Sequence, residues 1–259
     1  MAKGEKQELV KDKVNLPANI NLEELAGGGM ENVSVKDMSI PFLKILQSLS
    51  PEIKKAKAEY IEGAEEGKIC NSVTSELFDT LKIVPCFYQF VVNEWKPNRG
   101  GYVGTHLDGS PVVAAATRVT TPDGKSVLRS AAGNDLVDTA QWYVLIQNKS
   151  GQWSWGVLAF TSTQLKFSRR LLSQLQSLKL EGKNGPFTPP MYAHVLNVST
   201  VPDSNNLGDF FSWKIEMAEE KSYGISEDLF KTAIDYYEQV KNGLVKAVPP
   251  AEPAEPEVY

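Results

Sequence analysis

Residues 134–222 hold the pattern that most limits the fold. Two β-branched and aromatic runs, Asp138–Gln147 and Gln152–Phe160, flank Asn148-Lys-Ser-Gly151, a polar turn ending in glycine. A helix-period segment follows over about 161–180, then two more extended runs, Pro190–Thr200 and Asp209–Met217. Strand, strand, helix, strand, strand is an order that builds a core from a sheet with a helix laid on it. The 259 residues suffice for such a core and allow one large domain or two small ones.

The helix carries its own signals. Thr161 and Gln164 fit a T-x-x-Q capping box. Leu165, Leu172, Leu175 and Leu178 share a face with Leu171 at its margin, while Lys166, Arg169 and Arg170 fall on the opposite face at about 100° per residue. Gly182 and Gly185 stop the helix. A second helix runs from Ser226 to about Lys246, with Ser226 as N-cap, acids in its first turn, and Leu229, Ala233, Tyr236, Tyr237 and Val240 as its apolar stripe.

The longest strand candidate is Leu81–Trp95, and Pro85 marks where it bends or bulges. The loop Lys96–Gly101 and the short strand Tyr102–His106 follow it. Residues 107–133 read as a long excursion with a hairpin at Asp123-Gly124. Upstream, Lys68–Val73 reads as a strand. Asp37–Gln47 reads as an apolar helix with Pro41 near its start, ended by Ser50-Pro51. The chain thus divides into a flexible arm (1–29), a helical extension (30–68), a β-rich α+β domain with a C-terminal helix (69–247), and a Pro/Glu-rich disordered tail (248–259).

Composition removes several function classes. No apolar run approaches the ~20 residues of a membrane helix, and the first residues lack the apolar core of a signal peptide. Cys70 and Cys86 are too few for a disulfide framework or a zinc site, which suits a reducing cytoplasm. G-x-S-x-G, Walker A, H-E-x-x-H and G-x-G-x-x-G are all missing. His106 and His194 stand apart in sequence and read as structural residues. The pairs Asp135/Asp138 and Glu219/Glu220 read as solvated acids rather than metal ligands. The expectation is a non-enzyme without metal, cofactor or membrane contact.

Charge and aromatics point elsewhere. The net charge is −5, but residues 69–202 carry 12 Lys/Arg against 8 Asp/Glu, and residues 203–259 carry 5 against 12. Aromatics interleave with base in the middle segment. Unpaired bases stack on exposed rings beside a basic groove, at ~1–3 kcal/mol per base. Trp95, Tyr102, Trp153 and Trp155 are the candidate stacking residues. Lys96, Arg99, Lys166, Arg169 and Arg170 are the candidate phosphate contacts, with Arg118, Lys125 and Arg129 as possible extensions. The competing place for each ring is the β core; Trp142 and Tyr143 point to opposite faces, so one of that pair belongs there.

Two resemblances bear on this pattern. Strands, a helix and two further strands follow the order of an OB-fold barrel, here an OB-like barrel over about 69–222 with elaborated loops, an N-terminal extension and a C-terminal helix. The tail, with Glu252, Glu255, Glu257 and terminal Tyr259, resembles the acidic, aromatic-ended tip of bacterial and T7-type phage single-stranded-DNA-binding proteins. It departs from that pattern in having three acids, no Asp run, and Tyr in place of Phe. Ser39–Pro51, Tyr60–Ala64 and Glu94-Trp-Lys-Pro97 are similar to a tailed-phage group described as DNA-binding, over roughly 37–245. The resemblance implies sequence-independent binding of single-stranded DNA in phage replication or recombination, in the host cytoplasm. Replication or recombination proteins would dock on the tail, and homo-oligomerisation is left open. The alternative is a structural virion protein, a capsid or tail component that binds neighbours through its two ends.

Overall fold

The computed structural model describes residues 24–34, 37–97, 100–121, 124, 126–205, 208–218 and 225–249. The chain separates into two units, Met1–Met38 and Ser39–Tyr259. The described part of the first is a run of exposed turns, such as Gly28 N–H donating to the Leu25 carbonyl.

The second unit is built on β1 (Phe42–Ile45), β2 (Ile69–Asn71), β3 (Leu77–Phe78), β4 (Thr80–Trp95), β5 (Tyr102–Leu107), the one-turn α1 (Pro111–Ala114), β6 (Thr117–Thr120), β7 (Ser126–Arg129) and β8 (Asp135–Gln147). It continues with β9 (Trp153–Thr161), α2 (Leu165–Ser177), β10 (Leu180–Gly182), β11 (Gly185–Phe187), β12 (Leu196–Asn205), β13 (Gly208–Met217) and α3 (Glu227–Lys241). Among the described residues, eleven strands form one sheet along the path β13-β12-β4-β8-β9-β1-β2-β3. Strand β5 lies beside the far end of β4, and the β6–β7 hairpin beside the far end of β8. All pairings are antiparallel except β1 with β9. The molecule is an α+β protein, β-rich, with a curled half-barrel sheet and a C-terminal helix.

The two longest strands form the spine. Strand β4 pairs with β8 from Ile83↔Ile146 to Trp95↔Asp135. The register shifts between Pro85 and Phe87, so Cys86 is the extra residue of a bulge at the expected proline. Alternation along β8 sends Ala140, Trp142, Val144 and Ile146 to one face and Tyr143 and Leu145 to the other. Both faces are covered. On the first, α2 lays Leu171 and Leu175 into a core with Phe160, Leu196, Val198 and Trp213. On the second, α3 buries Ala233, Tyr236 and Val240. Trp142 and Tyr143 are therefore both core residues, at 1% and 3% exposure, where the alternation alone required one.

The sheet curls until its terminal strand β13 meets the segment that follows β1 through side chains. The Gln47 amide donates to the Phe211 carbonyl and accepts from the Phe211 N–H, both at 2.9 Å. One glutamine thus supplies β13 with the donor and acceptor of a missing strand. Beside it, Gln164 donates to Ser212 Oγ at 3.2 Å and accepts from Trp213 N–H at 3.5 Å. The Gly67 Cα lies so close to the Phe211 ring that an added Cβ would stand 2.7 Å from it.

Three expectations are corrected. Asp37–Gln47 does not form a helix. Pro41 and Pro51 confine it to a segment too short to be helical by itself, and Pro41 O accepts from Val157 N–H, which draws β1 onto β9 in parallel. The Thr161–Gln164 capping box does not form. The amide of Gln164 is spent on β13, residues 162–164 make a 3-10 turn, and α2 starts at Leu165. The strand expected from Pro190 begins only at Leu196, because Met191–Ala193 is a 3-10 turn. By contrast, Ser226 caps α3 as expected, its Oγ accepting from Leu229 N–H at 3.3 Å, and β6 and β7 form a hairpin about Gly124.

Replacing Gln47 by Ala should strand a donor and an acceptor of Phe211 and lower unfolding free energy by about 1–3 kcal/mol. Gln47→Glu should not rescue it, since a carboxylate cannot donate to the Phe211 carbonyl. Urea denaturation of the three proteins checks both statements.

Candidate nucleic-acid interface

The four candidate stacking rings fall into two pairs, Trp95 with Tyr102 and Trp153 with Trp155, of which Trp95 is buried and the other three are half-buried. Trp95 is 7% exposed. It contacts Tyr102 edge-on, with centroids 5.5 Å apart, and lines a cavity of about 260 Å³ with Phe211 and Trp213. Trp155 lies flat under α3, stacked on Tyr236 at 4.9 Å and 10°. Trp153 shares that strand face and is half-buried, with Ser154 exposed on the other. Tyr102 is half-buried, and its hydroxyl is 2.7 Å from Thr105 Oγ1, which donates to Asn93 Oδ1. Trp95 is buried, and Trp155, half-buried, has one face taken by Tyr236.

The cations divide differently. Arg169 and Arg170 are exposed on α2 and make no ion pair among the described residues. Lys166 is also exposed, but it reaches Asp203 at 3.4 Å and sits over the Phe167 ring at 4.9 Å. The Ser212 hydroxyl, helped by the Ser204 N–H, holds the Asp203 carboxyl below the usual range. Lys96 and Arg118 are exposed, and Arg129 is paired with Asp135 at 3.0 Å. Arg99, Lys125 and the tail residues Glu252, Glu255, Glu257 and Tyr259 lie outside the described residues, as do Glu219 and Glu220.

Beside the free arginines stand two rings that sequence reading passed over, Tyr88 and Phe90 on β4. Both are half-buried and share the α2 face of the sheet. Tyr88 meets Trp142 edge-on at 5.2 Å. Burial pushes the Tyr88 phenol up, and the charge of Arg169 and a hydrogen bond with Ser168 pull it back. Arg169 and Tyr88 are therefore neighbours on one surface. The period-2 pattern of β4 contains Tyr88 and Phe90, but the bulge at Cys86 swaps faces midway. Without it, the side of the sheet they occupy is not readable.

A second polar constellation sits at the far end of β4. Glu94 is 6% exposed. Its Oε1 accepts from Ser130 Oγ at 2.8 Å and Asn134 Nδ2 at 2.9 Å, and its Oε2 lies 2.7 Å from His106 Nε2. One carboxylate thereby ties β5 and the β7–β8 turn to β4. Ser130 donates to the acid and not to the imidazole, so this is not a nucleophile–base pair. Burial pushes the Cys70 thiol up to about 11 and the Cys86 thiol up to about 12, far from thiolate reactivity at neutral pH. Among the described residues, no three His, Cys, Asp or Glu side chains are grouped to hold a metal ion, and no helix is long and apolar enough to cross a membrane.

Comparison with known proteins gives one match. Residues 6–246 fit the family model of the Pam3 phage gp34-like protein. The chain belongs to this family. It is a phage protein on that evidence. No curated protein and no solved structure matches it. The gp34-like match covers the sheet, all three helices and the Glu94 network.

The Glu94 network of this gp34-like protein has a pH signature. The Asn134 amide, with His106 and Ser130, lowers the Glu94 carboxyl below its ordinary 4.5 against an opposing push from burial. Folding therefore favours the ionised form. The contribution is complete above the ordinary value and is lost as pH falls through the depressed one. Glu94→Gln should be less stable at neutral pH and should lose part of the wild-type stability slope below about pH 4.5. Thermal melts between neutral and acid pH measure this, and parallel curves for the two proteins would contradict it.

Proposed function

We propose that this gp34-like phage protein binds single-stranded DNA without sequence selection, across the solvent side of α2 and the adjoining face of β4. Arg169 and Arg170 contact phosphates, and Tyr88 and Phe90 take bases. The observation that carries the reading is the exposed Arg169, without an ion pair among the described residues, beside the half-buried Tyr88 ring, the combination that single-strand binders use; Arg170 follows on the helix and Phe90 on the same strand face. Lys166 adds charge when it leaves Asp203. The OB-like reading of the curled sheet belongs to the same proposal, as do a role in replication or recombination and docking of partner proteins on the C-terminal tail. The acidic total charge does not oppose it, because the acid is concentrated after residue 202.

A structural virion role is the second reading. The placement of Trp95, Trp142 and Trp213 inside the fold favours it, since rings spent on the core need no ligand to explain them.

Titration of labelled oligo-dT, followed by tryptophan fluorescence and repeated across salt, separates the two. The Arg169→Ala/Arg170→Ala protein should bind more weakly, with its log–log salt slope shallower by about 1.4, from ~0.7 per phosphate contact. Unchanged affinity and slope would remove α2 from the interface. No binding by the wild type at low salt would shift the weight to the virion reading.

A further inference from the structure

We infer that the β10–β11 hairpin is a second contact for the same single strand, in which Phe187 stacks on a base while Lys179 and Lys183 neutralise phosphates. This rests on the reading of α2 above. The hairpin stands apart from the main sheet as its own two-stranded sheet. Its strands register Leu180↔Phe187 and Gly182↔Gly185, with Lys183-Asn184 as the two-residue loop. Gly185 adopts φ 105°, a conformation that a side chain would strain.

Phe187 is unlike the other rings of the protein. At 46% exposure it is the Phe, Tyr or Trp most open to solvent among the described residues. Its ring lies against Gly182, where an added Cβ would stand 3.0 Å from Phe187 Cδ1. The ring is supported from one side and left for a ligand on the rest. An apolar ring held in water at the base of a small hairpin costs solubility and contributes nothing to the core.

Charge selects the kind of occupant. Between Lys166 and Phe187 the chain carries five basic residues and a single acid, Glu181. Glu181 pairs with Pro186, so alternation puts it on the face of the hairpin opposite Phe187. The hairpin is also fixed to the basic helix. Lys179 Nζ donates to Thr188 Oγ1 at 2.5 Å, and Thr188 Oγ1 donates to the Gln176 carbonyl in the last turn of α2 at 3.5 Å. A polyanion following the arginines toward the C-terminal end of α2 reaches the hairpin next. A polyanion with flat apolar rings at each charge is a single-stranded nucleic acid.

The test uses the full chain and labelled oligo-dT across a salt series. Phe187→Ala should weaken binding by roughly 5- to 150-fold, the range for loss of one stacked base, with the salt slope unchanged. Phe187→Trp should retain affinity. Lys183→Ala should instead make the slope shallower by about 0.7. An oligonucleotide carrying 5-iododeoxyuridine should cross-link to Phe187 on irradiation. If the wild type binds and loses affinity in Arg169→Ala/Arg170→Ala, while Phe187→Ala and Lys183→Ala bind as the wild type does, the hairpin inference is overturned and the α2 reading stands. If the wild type does not bind, both are overturned.

Discussion

The structure depends on a central strand that is buried on both faces. In β8, Trp142 points into the core under α2 and Tyr143, the next residue, points under α3. Each ring brings a polar atom into the interior, and each finds a partner there. Trp142 Nε1 donates to Ser168 Oγ at 2.8 Å, and the Tyr143 hydroxyl accepts from Ala247 N–H at 3.2 Å. An unmet donor or acceptor in that position costs about 1–3 kcal/mol. Those two bonds set where α2 lies on one side and where the chain after α3 runs on the other. Tyr236 completes the second layer, donating to the Gly156 carbonyl at 3.2 Å while its ring lies on Trp155.

Double coverage also decides what is left for a ligand. A sheet with one open face could display its tryptophans, as single-strand-binding sheets do. Here Trp142 and Trp155 lie against the helices, and the proposed single-strand surface is the polar side of α2, the half-covered stretch of β4 and the hairpin beyond. Aromatic content and aromatic display are different properties. A helix without a single acid lies over the core of Trp142, Phe160 and Trp213, and Arg169 meets the Tyr88 ring at its margin.

Most of the strands were legible because their signals are local. β8 and β9 are alternating or continuous apolar runs around a glycine turn, the β4 bulge follows from the missing N–H of proline, and Ser226 begins α3 as its chemistry requires. The failures are where a distant element supplies the partner. Gln164 reads as a capping residue until β13 offers it a better use. Phe42 and Leu43 read as one side of a short helix until the edge of β9 is present to receive them. Of the proposed interface, α2's cations were legible from helical spacing. The rings beside them were not, because Pro85 announces a bend or bulge without saying which residue is extra, and that choice decides the face of every later residue in the strand. Trp95 and Trp155 show the converse: their types suit stacking, but the cover over them comes from other parts of the chain.

The glutamine that joins β13 to the segment after β1 has a consequence for the order of events in synthesis. Gln47 and Phe211 are 164 residues apart in the chain. β1 leaves the ribosome early, yet the parallel partner it needs and the strand edge its neighbouring glutamine must reach are translated much later. A contact of that separation forms only after the intervening chain has lost most of its freedom. The antiparallel neighbours β4, β8 and β9 have no such wait. The sheet can be assembled from its middle outward as it is translated, with the N-terminal strand held over as the piece that closes it.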